Sequence, residues 1–147
     1  MVRFDARYAE RLRLFDGTEA ELRLVRPEDA PLLQAGFAAL SPETRYLRFF
    51  AHKRALTPAE TTALTQLDDH DHLAVGAVGA PGSPARGMPM GVARYSRDPA
   101  GTVEAAVVVV DAFQGRGLGL ALLQRLGAAA AERGVDALAV TTLATNR

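Results

Sequence analysis

Residues 107–122, VVVVDAFQGRGLGLAL, constrain the fold more than any other stretch of the chain. Four consecutive valines are too apolar for a half-exposed strand and predict a central strand buried on both faces. Beyond them Leu118, Leu122 and Leu126 recur on one stripe, which predicts a helix over 117–133 with Gly134 placed to cap its end. At the junction stand Gly115, Gly117 and Gly119, with Arg116 between the first two. Glycine costs roughly 1 kcal/mol against alanine in a helix interior, so three of them here point to something that approaches the backbone closely. A strand, a glycine turn and a helix start leave several N–H groups unpaired and aimed at one spot, where the helix dipole adds positive charge. The stretch therefore predicts an anion site on residues 115–120, with Arg116 as a charge-assisted contact. A tight turn that needs glycine for its geometry alone is the competing reading.

The flanking sequence alternates strands and helices without internal repeats. RLRLF-DG-TEAELRLV predicts a hairpin, since an Asp-Gly pair between alternating runs is a strong turn signal. Pro27 opens a helix at its favoured first position, with Glu28 and Asp29 in the first turn and Leu33, Phe37 and Leu40 at helical spacing. SPETRYLRFF repeats that logic from Ser41, and Thr57 with Glu60 forms a capping box ahead of Leu64 and Leu67. HLAVGAV and GVARYSRD read as strands around a loop rich in glycine and proline, and ALAVTTL as a final strand after the valine strand and its helix. This order predicts an α/β fold in one domain, residues 1–147, with a mixed central sheet and flanking helices.

Composition then removes whole classes of function. A formal net charge of zero argues against a nucleic-acid binder held by a broad basic surface. The absence of cysteine excludes disulfides, Cys-ligated zinc and a cysteine nucleophile. No run of about 18 apolar residues occurs and MVRFDARYAERLRLF lacks an apolar signal core, so a soluble cytoplasmic protein without membrane contact is expected. DDHDH at 68–72 invites a metal reading through His70, His72 and three aspartates. A helix-to-strand connection is where solvated polar residues belong, however, and no metal is predicted.

Which anion, then? A dinucleotide fingerprint needs G-x-G-x-x-G off the strand, and a P-loop needs G-K-[ST]; the turn has neither. Gln114-Gly115-Arg116-Gly117-Leu118-Gly119 instead resembles the coenzyme-A-binding signature of the GNAT acetyltransferase superfamily, Q/R-x-x-G-x-G/A, with its strand before and helix after. The resemblance covers roughly residues 19–147. RPEDAPLL, LSPETRYLRFF, LTQLDDHD, GVARYSRDP and EAAVVVVDAFQGRGLG are similar to one branch, bacterial protein-lysine acetyltransferases that act on AMP-forming acyl-CoA synthetases. It implies the GNAT fold, with acetyl-CoA as cosubstrate. The pyrophosphate would sit on Gly115, Arg116, Gly117, Leu118, Gly119 and Leu120, beside Gln114. The pantetheine arm would pair with Val108, Val109 and Val110, where the strand splays from its neighbour, and Asn146 would contact the cofactor. An acyl-CoA synthetase as protein substrate is implied by resemblance alone. GNAT domains continue through another helix, often with a tyrosine general acid, and two more strands. By that standard the chain is C-terminally incomplete. ALAVTTL is therefore expected to pair on one side only, its other edge bare or covered by a second copy in a homodimer.

Acetyl transfer to an amine needs a neutral nitrogen. A lysine of pKa about 10.4 is neutral about once in 2,500 at pH 7, a handicap of roughly 4.6 kcal/mol. A general base offsets it, typically contributing about 10²–10⁴-fold. Glu104 is the one acid inside the valine strand, and its apolar neighbours are expected to desolvate it and strengthen it as a base. Family members that acetylate lysines carry a glutamate at the matching position, so Glu104 is the predicted base; an exposed glutamate near a turn is the competing reading. Arg45 and Tyr46 are candidates for the acceptor groove, and His52 reads as a surface residue. Two other functions stay open: an N-acetyltransferase of small amines, and an acyl-CoA-binding regulatory module without efficient catalysis.

Overall fold

The computed structural model describes residues 3–41 and 56–135 in full and the main chain of 139–144. The helix expected over SPETRYLRFF, with Arg45, Tyr46 and His52, lies outside the described residues, as does Asn146. Within them, six strands form one sheet in chain order: β1 (Ala9–Arg13), β2 (Glu19–Leu24), β3 (His72–Gly79), β4 (Pro89–Arg97), β5 (Val103–Val109) and β6 (Ala139–Ala144). Neighbours are antiparallel from β1 to β5, and β6 joins β5 in parallel. The helices are α1 (Ala30–Ala38), α2 (Pro58–Thr65) and α3 (Leu118–Glu132), the last being the crossover that a parallel pair demands. Among the described residues β6 pairs on one side only. None of the helices described is long and apolar enough to cross a membrane.

Strand alternation gives the sheet two distinct faces. Leu22, Leu24, Leu73, Val75, Ala93, Tyr95, Val107 and Val109 are sealed from solvent on one of them. Leu118, Leu122, Leu126, Ala129 and Ala130 of α3 pack onto that face across β3, β4 and β5. Full burial of a leucine is worth about 1.5–3 kcal/mol, so this stripe holds α3 in spite of its two internal glycines. The helix ends as its sequence predicts. Gly134 turns left-handed at φ +79, and Val135 N–H reaches back to the Ala130 carbonyl at 2.9 Å.

The opposite face carries Val92, Arg94, Glu104 and Val108, and α1 and α2 lie over part of it. Arg94 donates to the Leu64 carbonyl at 3.0 Å, and Gln34 donates to Thr61 Oγ1 at 2.6 Å, joining α2 to β4 and to α1. The capping box of Thr57 and Glu60 forms with both hydrogen bonds. The first helix starts later than Pro27 suggests: Pro27–Asp29 is a 3-10 turn and α1 begins at Ala30. Pro31 explains the shift, because a helix begun at Pro27 would require the N–H that Pro31 lacks. Asp29 is instead held by the Arg23 guanidinium at 2.7 and 2.8 Å and by Arg26 N–H.

Candidate active site

Where β5 ends, the backbone turns through Asp111–Phe113 as a 3-10 turn and enters α3 with Gly117 as its N-cap. Gly115 and Gly117 both take left-handed conformations, φ +75 and +85, which only glycine adopts freely. Gly119 does not; it lies in the first turn of α3 with an ordinary helical φ. Turn geometry thus accounts for two of the three glycines and leaves Gly119 over. Gln114 N–H is the last donor of the turn, to the Asp111 carbonyl, and Ala121 N–H is the first of the helix, to the Gly117 carbonyl. Between them the main-chain N–H groups of residues 115–120 donate to no described residue. Six consecutive donors without an acceptor among the described residues, at the positive end of a 15-residue helix, have the chemistry of an anion site.

The β1–β2 hairpin forms a wall beside this turn that the sequence reading did not foresee. Its connection runs over Leu14 to Thr18, longer than an Asp-Gly pair alone implies, and pushes Phe15 outward. Phe15 N–H donates to the Arg116 carbonyl at 3.1 Å. Asp16 Oδ2 holds Arg116 Nε at 2.6 Å, and the Arg116 guanidinium also donates to the Ala112 carbonyl. Hydrogen bonds from Thr18, its backbone N–H first, and the Arg116 guanidinium keep the Asp16 carboxyl below its ordinary pKa against a small opposing effect of desolvation. The Phe15 ring tip lies 2.7 Å from where a Cβ on Gly117 would stand.

Several expected ligand contacts are engaged elsewhere. Arg116 points to Asp16 and Ala112, so its contact with a bound anion is not preformed. Gln114 Nε2 donates to the Val109 carbonyl at 2.9 Å, and Val110 N–H donates to the Met90 carbonyl at 2.8 Å. Val108 is half-buried, while Leu118 is part of the core through its side chain. β5 pairs with β6 from Glu104–Ala139 to Val108–Ala144, with the register shifted between Ala105 and Ala106. Val108, expected to lie in an opening of the sheet, is paired with Ala144, the last described residue of β6.

Glu104 requires a correction. It sits opposite Ser96 of β4 and Ala139 of β6, and its side chain is exposed rather than enclosed. Alternation is the reason: Val103 and Ala105, its apolar sequence neighbours, point to the other face of the sheet. It does share a face with Ala106, Val108 and Val110. Further along that face, Val108 and Val110 border a cavity of about 100 Å³ between the sheet and the helices, lined also by Leu33, Phe37 and Leu64. The DDHDH segment is a capped turn: Asp68 Oδ1 accepts the N–H groups of His70, Asp71 and His72 at 2.9–3.0 Å. Among the described residues no three His, Cys, Asp or Glu side chains come together as metal ligands.

The sequence profile of the acetyltransferase (GNAT) family matches residues 40–147, across the turn and α3. The chain belongs to that family. Its members use acetyl-CoA, and this GNAT protein is accordingly an N-acetyltransferase. Over 135 residues, 91% of its length, it is 30% identical to 72% of acetyltransferase PA5475 of Pseudomonas aeruginosa. Among solved structures it is similar to the GNAT domain of PAT from S. lividans, at 33% identity and a TM-score of 0.77 over 90% of this chain and 77% of that one. A cAMP-binding acyltransferase from Mycobacterium smegmatis matches at 26% identity and a TM-score of 0.56, over 86% of this chain and 35% of that one. The unpaired amides at 115–120 fit the family's cosubstrate, whose pyrophosphate needs such donors.

Proposed function

We propose that the protein transfers acetyl from acetyl-CoA to the ε-amine of a protein lysine, with Glu104 as general base. The observation that carries this is the run of six main-chain N–H groups at 115–120 with no acceptor among the described residues, placed at the end of the strand that bears Glu104. In this reading those amides hold the pyrophosphate, and Val108, Val109 and Val110 guide the pantetheine arm along β5. Glu104 lies four residues beyond Val108, about 13 Å at strand spacing. Main-chain pairing at the Val109 carbonyl requires Gln114 to release it, and Arg116 reaches a phosphate only by leaving Asp16. The apolar cavity beside Val108 and Val110 suits the uncharged end of the thioester.

Bound acetyl-CoA supplies an electrophilic thioester carbonyl. The lysine nitrogen forms the new C–N bond, the C–S bond breaks, and the sulfur leaves to be protonated as free CoA. Glu104 receives the proton that the nitrogen sheds. A protein acceptor, specifically an AMP-forming acyl-CoA synthetase, is supported by the similarity of five sequence phrases and by the likeness to the PAT domain. The test is Glu104→Gln, assayed with acetyl-CoA and such a synthetase beside a panel of small amines. Acetyl-CoA affinity should stay near parental while protein acetylation at pH 7 drops about 10²-fold or more. The rate should partly recover at higher pH, where the amine sheds its own proton. Parental turnover at pH 7 makes Glu104 structural, and turnover confined to small amines replaces the protein acceptor.

A further inference from the structure

Phe15 is 84% exposed, yet its place is fixed. Its N–H is tied to the Arg116 carbonyl, and Asp16 next to it grips the Arg116 guanidinium. The ring atoms nearest Gly117 are Cζ, Cε1 and Cε2, so only the ring's tip meets the turn and its flat faces stay open. Phe15, Met88 and Leu120 are the large apolar residues exposed among the described residues, and Phe15 and Leu120 border the glycine turn. Leu120 stands in the first turn of α3, and Met88 lines a cleft shared with Asp16 and Phe113. Apolar surface gathered around an anion site suits a ligand that joins charge to a flat apolar face.

We propose that the β1–β2 hairpin tip is a wall of the cosubstrate site and that Phe15 stacks on the adenine base of CoA. The inference rests on the reading of residues 115–120 as the pyrophosphate site. With the pyrophosphate on those amides, the base hangs from the same molecule a ribose away, on the side where Phe15 and Leu120 border the turn. A base gains about tenfold or more in affinity from an aromatic platform. The Phe15 N–H bond and the Asp16–Arg116 pair hold the main chain of the tip beside the turn, and the ring itself stays free to settle on a base.

Two variants test it. Phe15→Ala should weaken CoA about tenfold by calorimetry and leave 4′-phosphopantetheine, which has the phosphate and no base, at parental affinity. The chain has no tryptophan, so Phe15→Trp places a single indole at the tip, excited selectively at the red edge where the three tyrosines do not absorb. Its fluorescence should be quenched by CoA and not by 4′-phosphopantetheine, with CoA affinity retained. Because the ring is exposed, both variants should melt at the parental temperature. Parental CoA affinity in Phe15→Ala, an unquenched Phe15→Trp, or equal losses for both ligands each overturns the stacking. If Phe15→Ala binds CoA normally but acetylates a protein acceptor slowly, the ring belongs to the acceptor surface and the proposal falls. A parental chain that binds neither ligand overturns the pyrophosphate site itself, a result visible without any variant.

Discussion

Gly117 and Gly119 lie two residues apart and should respond to alanine in opposite directions. At Gly117 the φ of +85 puts any side chain in the left-handed region, which costs roughly 1–2 kcal/mol. The new Cβ would also stand 2.7–3.0 Å from three atoms of the Phe15 ring. That ring is exposed and swings away cheaply, so the backbone strain dominates. For a chain of this size the strain corresponds to a fall of about 2–8 °C in melting temperature. Adding Phe15→Ala removes the clash and leaves the strain, so the double variant should melt no higher than Gly117→Ala alone. Gly119 has a helical φ in the first turn of α3, where alanine gains up to about 1 kcal/mol of helix propensity. Gly119→Ala should therefore be at least as stable as the parent and keep its CoA affinity, because the signature that this turn resembles accepts alanine at that position. Thermal unfolding followed by circular dichroism, with calorimetric CoA titration, reads both quantities. A Gly119→Ala protein that melts below the parent would refute the helix-propensity argument, and a Gly117→Ala protein that melts within a degree of the parent would refute the strain.

Glu10 accepts from Arg125 at 2.6 and 3.2 Å, and this hydrogen-bonded pair lowers its pKa below the ordinary 4.5 against the opposing pull of burial. A depressed carboxylate contributes stability above pH 4.5 that is lost as pH falls through its folded value, so urea midpoints should drop below pH 4.5 and do so less steeply in Glu10→Gln; parallel profiles would remove the pair from the account. At Gly79 a Cβ would meet the Ala85 carbonyl oxygen at 1.7 Å, so Gly79→Ala must displace the 80–88 loop and should cost about 1–3 kcal/mol or more in denaturant unfolding, an expectation that a parental midpoint would sink.

The fold was legible where one face of an element is buried, because burial imposes a period. The leucine stripe of α3, the valines of β5 and the Asp-Gly turn all state their structure locally. Contacts between distant segments leave no such trace. Residues 3–8 fall outside the stretch that resembles the family, yet Phe4 is 1% exposed and Glu132 of α3 accepts the N–H groups of Arg3 and Phe4. Arg23 and Asp29 read as separate surface charges until β2 and the 3-10 turn bring them together. Phe15 carried a faint signal, a large apolar residue next to a turn pair, but nothing in its own neighbourhood names Gly117 as its contact.

At the site, the glycine spacing announced the strand–turn–helix junction and its amides because the requirement is local: main-chain donors at the start of a helix. Glu104 was misjudged for a reason that the same sequence contains. Counting its immediate neighbours suggests an apolar enclosure, whereas a strand has period two and Val103 and Ala105 belong to the α3 face. Its companions are Ala106, Val108 and Val110, with Ser96 across β4, and that face is open at Glu104 and hollow beside Val108 and Val110. Glu104 does not line that cavity, so on the proposed mechanism its cover has to come from the bound acceptor. Under that proposal Glu104 would be desolvated only in the complex with the acceptor, so the exposed side chain of the free protein and a base role in the loaded one are compatible.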